Sequence, residues 1–99
     1  MSAAYRTAPL AERDYIEIAK YIARDNPAAE QMLRRFERKF EMLARQPMIG
    51  ESTSDLRRES RRVIEGAYHI YYRPVPSGPH SVESLRAIHG ARDIGPDMF

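Results

Sequence analysis

Four side chains near the end of the sequence have the chemistry of a site. The run Ser81-Val-Glu-Ser-Leu-Arg-Ala-Ile-His-Gly-Ala-Arg-Asp-Ile94 is strand-like as far as His89 and turns at Gly90, so Arg86, His89, Arg92 and Asp93 should arrive at one end of a sheet. Arginine offers a planar fork of N–H donors that fits phosphate or carboxylate. Histidine is the side chain whose unperturbed pKa lies near neutrality, so His89 has the chemistry to move a proton. A single histidine with no carboxylate to orient it reads first as a hydrogen-bonded structural residue. Arg86, inside the strand, suits either an ion pair with Glu83 or Asp93 or contact with a partner. Arg92 and Asp93 follow Gly90 on a turn, where exposed side chains concentrate function, and are the leading site candidates.

A second basic cluster, Arg57, Arg58, Arg61 and Arg62, lies between Leu56 and Arg62, and Arg73 follows. Such a stretch is by default solvated, but a charge patch is legitimate evidence for an anionic partner. Tyr68, Tyr71 and Tyr72 could stack on bases, although tyrosines in a strand usually serve half-buried packing. The 99 residues carry a formal net charge of +2, no cysteine and three scattered histidines, His69, His80 and His89. Disulfides and thiolate metal sites are therefore excluded, and no metal or cofactor is expected. The length suits one domain over residues 1–99. Charges interrupt every apolar run near the N-terminus, so a signal peptide or membrane span is not expected and a cytoplasmic setting is.

The elements that must position these residues are legible from periodicity. A short strand is expected around Ala4 to Thr7. Pro9 then opens a helix in which Ala11, Tyr15, Ile18, Ala19 and Ile22 share one face, opposite Glu12, Arg13, Glu17 and Lys20. Asp25-Asn-Pro27 ends it and Pro27 opens the next. In that second helix Ala29, Met32, Leu33, Phe36, Phe40, Leu43 and Ala44 form the buried stripe, and Pro47 closes it. Beyond Gly50 a polar loop, Glu51 to Asp55, precedes a change to period two. Arg62–Ile64 and Ala67–Arg73 flank a hairpin turn at Glu65-Gly66, where glycine can take positive φ. Pro74 to Pro79 reads as loop, and Ser81–His89 as the last strand. The order β-α-α-β-β-β predicts an α+β fold: an N-terminal strand and an antiparallel helical hairpin packed on a small, mostly antiparallel sheet.

In this order the residues resemble the ParE/RelE superfamily of toxins from type II toxin–antitoxin systems. The marks are Thr7-Ala-Pro9; Asp14, Ile18 and Tyr21; Leu43, Pro47 and Gly50; Leu56-Arg57, Arg61 and Gly66; and Ile70-Tyr-Tyr-Arg73. Val82-Glu83, Leu85-Arg86 and Ile88-His-Gly-Ala-Arg-Asp93 look like the terminal signature of the ParE branch. Ser84 and Ala87 depart from it, since larger aliphatic residues are usual there. The resemblance implies two possible chemistries on one scaffold. RelE-like members cut mRNA on the ribosome, and here Arg61, His89 and Arg92 would be the catalytic candidates. That branch carries a tyrosine six residues beyond the counterpart of Arg92; this chain has Met98, which cannot exchange a proton. ParE-like members instead bind DNA gyrase and are neutralised by a ParD-type antitoxin, the setting of plasmid stabilization. The resemblance therefore favours a gyrase inhibitor that is not an enzyme. Its candidate contacts with target or antitoxin are Arg57, Arg58, Arg61, Arg62, Arg73, Arg86, Arg92 and Asp93. A degenerate, non-toxic antitoxin-binding module is a third reading.

Overall fold

The computed structural model describes residues 5–25, 29–76 and 81–99. Strand β1 (Tyr5–Thr7) leads into helix α1 (Pro9–Asp25), whose first turn closes when Glu12 N–H donates to the Ala8 carbonyl at 2.9 Å. Helix α2 (Ala29–Arg45) follows, then β2 (Glu51–Ser52), β3 (Arg61–Glu65), β4 (Tyr68–Pro74) and β5 (Val82–His89), with a 3₁₀ turn at Pro96–Met98. The five strands form one sheet in the order β1-β5-β4-β3-β2. β1 runs parallel to β5, and the other neighbours are antiparallel. The arrangement is α+β, as the sequence predicts.

Several details differ from the expectation. Glu51–Ser52 pairs with Arg61 and Arg62 as an edge strand inside what reads as a polar loop; two residues are too short to show a period. β4 extends through Pro74, which lies opposite Val82. A proline is tolerated there because it ends the strand. The hairpin turn is Gly66-Ala67, one residue later than read, because Glu65 pairs with Tyr68; Gly66 does take positive φ, +60°. The readings at Ala4, at Asn26-Pro27 and at Ser77 to His80 fall outside the described residues, as do the side chains of Ile22 and Ala29.

The helices pack on one face of the sheet. Ile18 from α1, Phe36, Phe40 and Leu43 from α2, and Ile70, Tyr72, Val82 and Ala87 from the sheet are buried together. Burying a side chain of this size contributes about 1.5–3 kcal/mol. Leu33 departs from the expected stripe and stays 38% exposed. Tilted aromatic contacts join the elements: Tyr5 of the sheet to Phe40 of α2 at 5.1 Å, and Tyr15 of α1 to Phe36 of α2 at 5.3 Å. The two small residues of the last strand now have a reason. Ser84 leaves space for Tyr15, whose hydroxyl hydrogen-bonds Ser84 Oγ at 2.5 Å. Ala87 lies where α1 packs against β5.

A bulge in β5 sets the side-chain directions. Tyr72 lies opposite Ser84 and Tyr71 opposite Arg86, so Leu85 is the extra residue. Ser84 and Ala87 can then both serve the core while Arg86 is turned away from it.

The connection from α2 to β2 is held by a buried knot. Tyr72 Oη donates to the Pro47 carbonyl at 2.7 Å and accepts Gly50 N–H at 3.0 Å. A Cβ on Gly50 would lie 2.7 Å from Tyr72 Oη and 2.8 Å from the Arg62 carbonyl oxygen. We expect Gly50→Ala to cost about 2 kcal/mol or more through overpacking. Gly66→Ala, with nothing near the added methyl, should cost about 1 kcal/mol for the left-handed backbone alone. Urea unfolding of the two variants checks the ranking.

Candidate functional site

The arginines named from the sequence do not converge; they divide between internal and outward duties. Arg86 is internal. Its Nε donates to Asp14 Oδ2 at 2.7 Å and its Nη2 to Asp14 Oδ1 at 3.0 Å, a bidentate pair across helix and strand. Asp14 Oδ2 also accepts the Ala87 N–H at 2.9 Å. The reason is topological. β1 flanks β5 only as far as Ser84, so beyond that point the edge of β5 loses its strand partner and α1 supplies a carboxylate instead. Arg86 Nη1 donates to the Met98 carbonyl, drawing the C-terminal turn onto the same junction. The partner of Arg86 is thus Asp14, and not Glu83 or Asp93. Hydrogen bonding to Asp14 raises the already high pKa of Arg86 against the opposing effect of burial.

Arg61 is internal too. Its Nη1 donates to the Gly50 carbonyl at 2.6 Å and the Met48 carbonyl at 3.1 Å, capping the turn that follows α2. Arg62 pairs with Glu51 across the β2–β3 register, while its buried Nε has no partner among the described residues. Arg57 and Arg58 stand exposed on the loop from Thr53 to Ser60. That loop is shut by Thr53 N–H donating to the Ser60 carbonyl at 2.9 Å and by a 2.7 Å bond between the two hydroxyls.

His89, Arg92 and Asp93 lie together at the other end. Arg92 N–H donates to the His89 carbonyl at 3.0 Å, and His89 Nδ1 accepts the Ala91 N–H at 3.1 Å. His89 also meets the Tyr68 ring edge-on at 5.6 Å. All three residues are exposed. Nearby, burial lowers the pKa of His69, helped by Arg62 and His89. Arg61 is remote from this end. It lies opposite Tyr72 and hence at the level of Ser84, whereas Tyr68 is opposite His89. Four residues of β4, Tyr72 to Tyr68, separate the two levels, about 13 Å. The trio Arg61, His89 and Arg92 is not assembled.

The face turned away from the helices carries a group the sequence reading only half supplied. Arg6 Nε donates to Glu83 Oε2 at 3.2 Å and Arg73 Nε to Glu83 Oε1 at 2.8 Å. Arg6 was missed; only the pairing of the first strand with the last puts position 6 beside position 83. Asp14 was legible as a family mark but not as the partner of Arg86, 72 residues away. On the opposite side of the molecule Thr7, Glu12, Tyr15, Ile16, Ala19 and Leu33 line a groove of about 380 Å³ along the hairpin. Ile16 is 48% and Tyr21 64% exposed. Among the described residues no helix is long and apolar enough to cross a membrane.

The family model described as ParE toxin of type II toxin-antitoxin system, parDE, matches residues 5–94. The chain belongs to this family. No curated protein matches it. As a ParE-family member it is the toxin of a type II system, and an antitoxin partner is implied. The match takes in β1 through β5 and every arginine discussed above. It stops at Ile94, before the turn whose carbonyl Arg86 holds.

Two predictions follow from this ParE geometry. Asp14→Ala leaves the Arg86 guanidinium and the Ala87 N–H without their carboxylate, and the pair is largely shielded from water. We expect a loss of about 3 kcal/mol. Asp14→Ala combined with Arg86→Met should lose less than the sum of the two single variants, as read by chemical denaturation. For Glu83, burial alone would raise the carboxyl pKa, but the hydrogen bond from Arg73 and the charges of Arg6 and Arg73 outweigh it and hold the pKa below 4.5. A depressed carboxylate stabilises the fold above its unfolded pKa and loses that contribution as pH falls through the folded value. The thermal midpoint should therefore fall as pH drops below about 4.5, and Glu83→Gln should flatten that part of the profile.

Proposed function

We propose that this toxin acts by binding, with DNA gyrase as its target and a ParD-type antitoxin as its neutralising partner, in the cytoplasm and as one domain over residues 1–99. The observation that carries the reading is the separation of Arg61 from His89 and Arg92. Ribosome-dependent mRNA cleavage needs a phosphate-stabilising cation beside groups that take and return a proton. Here Arg61 is occupied by the Met48 and Gly50 carbonyls, and His89 holds a local turn. Met98, at the position where the RNA-cleaving branch carries its tyrosine, has no exchangeable side-chain proton. A gyrase inhibitor needs only a surface. The exposed turn at Arg92 and Asp93, together with Arg57 and Arg58 on the closed loop, suits the target. The apolar hairpin groove with Ile16, Ala19 and Leu33 suits an amphipathic antitoxin segment.

Supercoiling of relaxed plasmid by purified gyrase, with the toxin freshly separated from its antitoxin, tests the proposal. Stoichiometric excess should stop supercoiling and accumulate cleaved DNA. Arg92→Ala should weaken inhibition about tenfold, while stability stays within about 0.5 kcal/mol because the residue is exposed. Unimpaired supercoiling by protein that still binds antitoxin and arrests growth would overturn the gyrase assignment.

A further inference from the structure

We infer that Arg6 and Arg73, held side by side by Glu83, form a two-pronged receptor for an acidic, extended segment of the antitoxin. The inference rests on the antitoxin reading above and adds a surface to it on the sheet face opposite the helices. Three neighbouring strands place the residues in register. Arg6 of β1 and Arg73 of β4 both lie across from Glu83 of β5. Tyr5 packs on Phe40, and Val82 is buried in the core, so strand alternation turns Arg6 and Glu83 to the other face.

Each guanidinium spends only its Nε on Glu83. Among the described residues no hydrogen bond uses an Nη of either arginine. The end-on edge of each fork, two parallel N–H donors, is the other edge that binds a carboxylate bidentately. Both arginines can therefore take a second carboxylate without releasing Glu83. One glutamate cannot neutralise two guanidiniums, so the ladder keeps a net positive charge. The Arg6 side chain is 43% exposed and the Arg73 side chain 28%, so incoming groups can reach them.

The order of charges selects the partner. Across the strands it runs positive, negative, positive. A uniform polyanion such as nucleic acid would set a phosphate against Glu83, and like charges in register are costly. An extended peptide crossing the strands presents two acidic residues, two apart, to one side about 6.7 Å from each other, and turns the residue between them away, so no negative charge is set against Glu83. Glu83 then has two parts. It preorganises the forks, and its charge tempers their attraction for the partner.

Association of the toxin with its cognate antitoxin, followed at low and high salt, separates the outcomes. Exposed charges act mainly on encounter. With Arg6→Gln and Arg73→Gln combined, the association rate at low salt should fall about tenfold and its salt dependence should flatten. Glu83→Gln should raise the association rate several-fold. A purely structural ion-pair ladder could not produce that gain, since its loss only destabilises. Arg6→Lys with Arg73→Lys keeps the charge without the fork, and should retain the salt dependence while dissociation quickens. Thermal midpoints show that each variant is folded. Folded Gln variants that associate at the wild-type rate would overturn the receptor and leave the antitoxin reading standing. Wild-type toxin that does not bind the antitoxin would overturn both. Retention of a duplex DNA probe that is lost in the double Gln variant, with antitoxin association unchanged, would assign the surface to nucleic acid and overturn the inference.

Discussion

The carboxylate of Asp14 is the point on which the arrangement turns. It meets a backbone N–H of β5 beyond the point where the β1 pairing stops, and it holds the Nε and Nη2 donors of Arg86. Without it the edge of β5 beyond Ser84 would face α1 with an unpaired donor, and the guanidinium would have no counter-ion in a partly dry setting. The bulge at Leu85 belongs to the same device, because the extra residue lets Ser84 and Ala87 face the core while Arg86 reaches the helix. Through the Met98 carbonyl the junction also determines where the C-terminal turn lies, and Phe99 settles on Tyr71 with ring centroids 5.5 Å apart.

This arrangement divides the arginines between holding the chain together and facing outward. A cation is useful to catalysis when its donors are unspent and aimed at the reacting atoms. Arg61 holds two carbonyls through its Nη1, Arg86 commits Nε, Nη1 and Nη2 to a carboxylate and a carbonyl, and Arg62 faces Glu51. Those left over, Arg57, Arg58, Arg92 and the outer edges of Arg6 and Arg73, are spread over separate surfaces. A scaffold with rigid internal arginines and scattered external ones is suited to recognition by several partners.

Much of the fold was legible because its signals are local. The stripe of Phe36, Phe40 and Leu43, the prolines at Pro9 and Pro47, and the glycine at Gly66 each act within a turn or two of chain. What escaped was non-local or too short. Two residues at Glu51–Ser52 carry no period, and a proline at a strand end looks like one in a loop. The Asp14–Arg86 and Arg6–Glu83 pairs exist only because strands distant in sequence are neighbours in the sheet. Ser84 and Ala87 looked like departures from a family pattern. They prove to be fitted to Tyr15 and to the packing of α1. The candidate site was legible as residue types, but which arginines remain free depended on partners that no local pattern reveals.

The most direct test of a toxin that acts on DNA topology through binding is the order in which macromolecular synthesis fails. Pulse incorporation of labelled thymidine and labelled methionine, in the first minutes after the chain is induced without antitoxin, should show DNA synthesis stopping while translation continues. Translation stopping first would contradict the account and return Arg61, His89 and Arg92 to consideration as groups assembled only on the ribosome.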